Sequence, residues 1–382
     1  MKTIISLIVS ATAFFAAAQT DIPSPEAVPS KDAVAKQGAA AVAKGVKWLA
    51  ENQKEDGSFS NPQFPALTGL AIWAMAGSGD PQYALNIEKG VKFLLGCAQQ
   101  DGGIYTPIPG RKGGGLATYN TSICLIALHS TGRDGLEPVM LGARTYLAES
   151  QEMNDPEYRG GFGYDRDNDR AYADMMNTHF VLDAMRRTQA LEDLRPDGSK
   201  RADIAWDAAL DFVLKMQNDA SSGTNNAGGF FYAPDDAKAG NETIGSGENE
   251  RVVLRSYGSI TYAGLLSMLH SNLSKSDTRV ASAIDWASKH WTLEENPGMG
   301  EQGLYFFYNI IARAMSASKL EEIPRASGAD IKWREEVVVK VISLMQKDGS
   351  WINKNGRFWE NDPVLSTAYS VIALEFASGM AE

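Results

Sequence analysis

The stretch GVKWLAENQKEDGSF, residues 45–59, decides the fold. An apolar run ends near Gln53, and a turn follows at Gly57-Ser58-Phe59. The same arrangement returns along the chain. Gln99 and Gln100 lead to Gly102-Gly103-Ile104-Tyr105, Gln151 to Gly160-Gly161-Phe162, Gln217 to Gly228-Gly229-Phe230, and Gln346 to Gly349-Ser350-Trp351. A sixth unit lacks the glutamine and keeps Trp291, then Gly303-Leu304-Tyr305. After each turn a second apolar run begins, among them ALTGLAIWAM, TYNTSICLIAL and LSTAYSVIAL. Six helix–turn–helix units spaced by roughly 45 to 75 residues form a repeat architecture.

No single unit can bury its own apolar face, so neighbours must stack, and six can close into a ring. The first helix of each unit shows a 3.6-residue stripe; in GVKFLLGCAQQ, Val91, Leu94, Leu95 and Ala98 share a face. The second is apolar throughout and rich in small residues, such as Gly69, Ala71, Ala74 and Ala76, which suits an inner helix approached on every side. The glutamine is expected in the last turn of the outer helix, bonding its free carbonyls beneath the turn aromatic. Strand signals are weak throughout.

These units resemble the QW repeats of the prenyltransferase and squalene-cyclase superfamily, over nearly all of the chain after about residue 40. The resemblance implies an all-α fold, an α/α toroid of twelve helices, six outer and six inner, around a central cavity. The chain departs from the family's chemistry. The nearest string to a cyclase DxDD acid is Asp165-Arg166-Asp167-Asn168, which lacks the paired aspartate and lies in a loop. No Asp-x-Cys pair for a prenyltransferase zinc is present, so no metal and no cofactor is expected. Asp165, Asp167 and Asp169 alternate as in an EF-hand, but Arg170 replaces the glycine and Met176 the bidentate Glu. Gly298-Met299-Gly300-Glu301-Gln302 resembles the thioester motif of complement-like toroids, with Met299 where the reactive cysteine belongs.

The organisation read from these features is a signal peptide over residues 1–18, a flexible leader over 19–37 and a toroid over 38–382. Lys2, the apolar run Ile4 to Ala18 and the small residues Ala16-Ala17-Ala18 make the signal, with a retained anchor as the alternative. A net charge of -11 without a Lys/Arg run argues against nucleic acid and anionic lipid. Cys97 and Cys124 read as small buried hydrophobes, and their spacing does not say whether they meet.

Inner helices all start at one mouth of a closed ring, so their first turns are where functional side chains would gather. Asp174, Tyr257, Tyr305 and Tyr308 are the candidate catalytic residues. Tyr119, Asn120, Asn177, His179, Arg255, Tyr262, Asp362 and Tyr369 are the candidate ligand-binding set. Tyrosines with a few charges suit an apolar or amphipathic small molecule held by its polar end, and aromatic faces stabilise cations. Each has a plainer reading beside it. Asp362 before Pro363, and Asp174 before Asn177, suit helix N-caps; His179 suits a satisfied, partly buried histidine; the tyrosines suit ring filler.

Three functions stay open: a terpenoid- or polyprenyl-related protein binding or processing an isoprenoid-like ligand, a non-catalytic cell-envelope binding or scaffold module, and a polysaccharide-active toroid. Neither enzymatic activity nor a protein partner follows from the sequence. Export is open to a direct check: mass spectrometry of the mature protein is expected to show an N-terminus near Gln19, and an intact Met1 on cytoplasmic protein overturns it.

Overall fold

The computed structural model describes residues 31–110, 116–166 and 170–381. The expected signal segment and the Asp167 and Asp169 of the alternating string lie outside them. Twelve α-helices follow in order among the described residues: α1 (Lys31–Glu51), α2 (Pro65–Gly77), α3 (Ala84–Gly96), α4 (Ala117–Ser130), α5 (Glu137–Glu149), α6 (Met175–Arg187), α7 (Trp206–Lys215), α8 (Gly258–His270), α9 (Thr278–Lys289), α10 (Leu304–Ser318), α11 (Trp333–Ser343) and α12 (Pro363–Ala377). The first helix starts before residue 37, where the leader was expected to end.

The even-numbered helices form the inner ring, each packed on the next from α2 through α12, and α12 returns to α2. Their sequences explain the placement: α2, α4, α8 and α12 bury nearly every residue. The outer helices bury a stripe, as α9 does with Val280, Ala283, Ile284 and Ala287. Outward, α3 lies on α2, α5 on α4, α7 and α9 on α8, and α11 on α10 and α12. The outer α1 rests chiefly on α12, so the first helix closes the ring against the last. The architecture is an α/α toroid.

What joins one unit to the next is the glycine turn. Gly57, Gly102, Gly160, Gly228 and Gly349 all have φ between 86° and 94°, a region that side-chain-bearing residues avoid. Each also lies against the backbone of the following outer helix. A Cβ would come 2.2 Å from the Lys89 carbonyl oxygen at Gly57, 1.9 Å from that of Ala208 at Gly160 and 2.3 Å from that of Ser282 at Gly228. At Gly349 the neighbour is Lys44 of α1, so the sixth turn makes the same contact across the seam.

The residue after each Gly-x pair then donates its amide to a threonine of its own inner helix. Phe59 bonds Thr68 Oγ1 at 3.0 Å, Ile104 bonds Thr121 at 2.9 Å, and Phe162, Phe230 and Trp351 bond Thr178, Thr261 and Thr367 at 3.0 Å. The glutamines lie past the helix ends, not in the last turn. The Gln53 amide donates to Gly57 O at 3.0 Å and to Asn86 O at 2.9 Å in α3; Gln151 and Gln217 bridge in the same way to Ala205 and Arg279. Each glutamine thus links a carbonyl of its turn to one at the start of the next outer helix.

The fifth unit departs from this pattern. Gly303 is the N-cap of α10, and Leu304 and Tyr305 are its first residues, so Tyr305 is helical and not a turn aromatic. Asn296 ties this loop back to α8, its Oδ1 accepting from Ser259 N at 2.9 Å and its Nδ2 donating to Gln302 O at 3.0 Å, while Trp291 reaches α11 by donating from Nε1 to Glu336 at 2.7 Å. The loop after α7 also carries a short antiparallel hairpin, β1 (Asn241–Ile244) with β2 (Arg251–Leu254), Asn241 opposite Leu254. Four-residue strands with partly exposed faces leave too little alternation to read from sequence.

Gly160→Ala adds both strain and a clash, and is expected to lower stability by about 3 kcal/mol. Thr178→Val orphans a buried amide at a cost of about 1–3 kcal/mol. Gly79→Ala, at φ 67° with nothing within 4 Å of the added carbon, serves as the control and costs about 1 kcal/mol. Urea unfolding midpoints rank the three.

Candidate functional site

Where the inner helices begin, they surround a cavity of about 320 Å³, room for roughly ten waters. All six contribute: Leu67 and Leu70 from α2, Tyr119 and Asn120 from α4, Met176 from α6, Ser259 from α8, Phe306 from α10, and Leu365 and Tyr369 from α12. The loops leading into these helices supply the rim, with Leu116, Tyr164, Tyr232, Lys238, Phe358 and Trp359. Phe358 and Trp359 hold left-handed backbone at φ 60° and 65°, each about half exposed, and Trp359 meets Phe64 edge-on at 4.6 Å. Consecutive left-handed residues without glycine store strain that a site must be built to hold.

Aromatic rings make the floor. Phe306 lies 5.7 Å from Tyr369 and 6.0 Å from Phe180, Tyr119 meets Phe180 edge-on at 5.4 Å, and the Tyr119 and Tyr369 hydroxyls pair at 3.2 Å. Beneath them the lumen is filled. Arg313 of α10 pairs with Asp183 of α6 and stacks over Trp73 at 4.9 Å. Arg187 and His270 approach the same carboxylate at 2.7 and 3.1 Å. Burial alone would raise Asp183, but the adjacent Arg187 and Arg313 hold it well below the usual carboxylate range.

Two carboxyls border the cavity. Glu360 is in its lining and buried; its oxygens accept from the Phe306 amide at 2.7 Å and from Asn353 Nδ2 at 2.8 Å. Glu360 therefore caps the first turn of α10, while burial raises its pKa. Asp174 sits behind the wall as the N-cap of α6, accepting from the amide and side chain of Asn177 at 2.9 and 2.8 Å. The Tyr172 and Tyr232 hydroxyls reach it, and Tyr232 pairs with Tyr164 at 3.0 Å. Burial outweighs these bonds and pushes its pKa up to about 6.

The structure thus separates the residues named from sequence. Tyr119, Asn120, Tyr257 and Tyr369 line the cavity. Asp174 and Asn177 back it without lining it. Tyr305 and Tyr308 do not converge on the mouth: their hydroxyls donate to Ile352 O at 3.3 Å and Leu293 O at 2.7 Å. On α10 the lumen face is Phe306, Asn309 and Arg313, and the helical period turns Tyr305 and Tyr308 away from it. Tyr262 is buried against Phe307 at 5.9 Å, and Arg255 is exposed in the hairpin loop. Asp362 caps α12 through the Val364 amide and accepts from the Ser60 hydroxyl. His179 is fully buried with neither ring nitrogen hydrogen-bonded, contrary to the satisfied histidine expected, and burial with nearby Arg313 keeps it neutral.

Sequence reading missed Glu360, Lys238, Phe306 and the rim aromatics. Tyr164 and Tyr232 did carry a signal, since each stands two residues past a Gly-Gly-Phe turn. Elsewhere, an open cleft of about 420 Å³ runs between the end of α7 and α9, its Lys289 paired with Asp285 at 2.6 Å. Cys97 and Cys124 are free and buried. Among the described residues, no group of three or more His, Cys, Asp or Glu is placed to hold a metal, and no helix is long and apolar enough to cross a membrane.

No protein-family model matches the sequence, and none of the curated proteins does. Solved structures do. The apo type II terpene cyclase MstE from Scytonema superposes with a TM-score of 0.54 at 12% identity, over 91% of this chain and 99% of that one. A variant of MstE in complex with its substrate, geranylgeranyl dihydroxybenzoate, gives 0.53 at 12% identity and the same coverage. A protein from Actinoplanes gives 0.51 at 13% identity, over 89% of this chain and 99% of that chain. The chain has a terpene cyclase-like fold.

The raised Asp174 has a consequence for stability. Because its folded pKa lies above the ordinary 3.8, its favourable contribution is full below pH 3.8 and lost as pH rises through about 6. Asp174→Asn keeps the cap and cannot ionise. Between pH 4 and 7 the native protein is expected to lose about 2 kcal/mol relative to this variant in urea titrations; parallel pH profiles would contradict it.

Proposed function

We propose that the protein is exported and binds an isoprenoid-like apolar ligand in the cavity at the mouth of its toroid. One observation carries this reading: five of the six inner helices, and Tyr257 at the N-cap of α8, deliver apolar or aromatic side chains to a single cavity open at one end, over a filled lumen. Its volume lies at the lower end for small-molecule sites. MstE, whose fold is similar, holds geranylgeranyl dihydroxybenzoate as substrate and merosterolic acid A as product. The hydroxyls of Tyr119 and Tyr369 bond each other, which leaves ring surface for a polyene and few unpaired polar atoms to dehydrate.

A non-catalytic binding module of the cell envelope is the second reading. It is favoured by how the two aspartates named from sequence are used, since Asp174 and Asp362 cap α6 and α12. A polysaccharide enzyme would want paired carboxyls across a groove, and Asp174 is turned into the wall.

A fluorescent farnesyl probe titrated into purified protein tests binding. Tyr257→Ala, which strips a ring from the lining, is expected to weaken the probe about tenfold per folded molecule. Tyr305→Ala, outside the lining, is expected to leave the affinity unchanged. Equal effects, or no saturable binding, would remove the cavity reading. Incubation with a linear polyprenol, followed by mass spectrometry, separates turnover from simple binding.

A further inference from the structure

We propose that the cavity is built for an organic cation, a tertiary or quaternary ammonium bearing an apolar chain. The proposal rests on the reading of the cavity as a ligand site and adds the charge of the ligand. Three features of the site converge on it.

The first is the ring surface. Tyr119, Tyr164, Tyr232, Tyr257, Phe306 and Tyr369 surround the space, with more rings at the rim. The negative faces of such rings attract cations, most strongly where water is excluded. The second is the balance of charge. Glu360 lies in the lining, Asp174 stands directly behind Tyr232, and Asp236 neutralises Lys238 at 2.6 Å. Glu360 is thus the carboxyl in the lining, while Asp174 backs the wall and Asp236 answers Lys238 and the nearby Arg357. Below the floor, Arg313 and Arg187 share the single carboxylate of Asp183. The α10 N-terminus that Glu360 caps offers it partial charges only, so a full positive charge beside Glu360 is favoured.

The third feature is an ammonium already seated there. Lys238 Nζ lies over the Tyr232 ring, 4.5 Å from its centroid, carried in from the loop between α7 and β1 on left-handed backbone at φ 58°. The protein itself thus presents an alkylammonium to a ring of this cavity. An incoming quaternary ammonium would find equivalent faces on Tyr257 and Tyr164, with its chain running along Leu67, Leu70 and Leu365. An anionic head group would meet Glu360 and an already paired lysine. Methylated ammonium sheds water more easily than a bare one, so the aromatic seat selects for alkylation as well as charge.

Isothermal titration with three ligands of one chain length, decyltrimethylammonium, decanol and decyl sulfate, each below its micelle concentration, tests the proposal. The ammonium is expected to bind at least tenfold tighter than the other two. Glu360→Gln, whose amide oxygen can still accept from the Phe306 amide, is expected to lose most of that preference while keeping decanol affinity. Tyr257→Leu, which keeps apolar volume and removes a ring, is expected to lower ammonium affinity more than decanol affinity, and it serves if the first variant fails to fold. Decanol or decyl sulfate binding as tightly as the ammonium, with the farnesyl probe still bound, overturns the charge assignment alone. If neither the probe nor any of the three binds, both this proposal and the cavity reading fall.

Discussion

A glycine pressed against the backbone of the next outer helix is the contact on which this molecule depends. It repeats at Gly57, Gly102, Gly160, Gly228 and Gly349, and at each site the left-handed backbone and the lack of a side chain are needed together. The contact sets how far one unit sits from its neighbour, and the threonine bond to the following amide ties the same turn to the inner helix. Each turn is thereby pinned on two sides. Five such joints, with the differently built loop of the fifth unit, carry six hairpins through a full circle, and the cavity is what remains where their inner ends fail to meet.

The cavity owes its character to helix termini. An inner helix that starts at the mouth brings unpaired amides with it, and these attract oxygen acceptors. Asp174, Asp362, Glu360 and the Asn120 side chain meet that demand, Asn120 by accepting from the Ala66 amide at 3.1 Å. Architecture thus concentrates carboxyls around a space whose lining is otherwise aromatic. The opposite end has no such demand, and there Arg313, Asp183 and Arg187 fill the lumen as an ion-pair network.

Much of the fold was legible because the turn signal is local. Gly-x-aromatic with a glutamine behind it names the turn, and the two kinds of apolar run name the inner and outer rings. The threonine in every complete unit was equally visible, as in ALTGLA and MNTHF, but nothing local says that its hydroxyl receives an amide from the turn behind it. The site was less legible. Tyr305 and Tyr308 start an inner helix as Tyr119 does, and only the rotation of α10 about its axis, set by packing with α8 and α12, turns them outward. Glu360 escaped notice because its partner is the amide of Phe306, 54 residues away in sequence. The lumen pair Asp183 and Arg313 is more distant still, and each taken alone reads as an ordinary charge on a helix.

The seam between α1 and α12 sets a timetable for synthesis. Val34, Ala41, Val42, Val46 and Leu49 are made early, yet the helix that chiefly covers them begins roughly 330 residues later. At about 5–20 residues per second, that face waits some 20–60 s on the ribosome for its partner. A ring lacking its last hairpin would be an open horseshoe with two apolar ends, each complementary to the other and to the same ends of a second copy. Closing on itself is then a race against pairing with a neighbour.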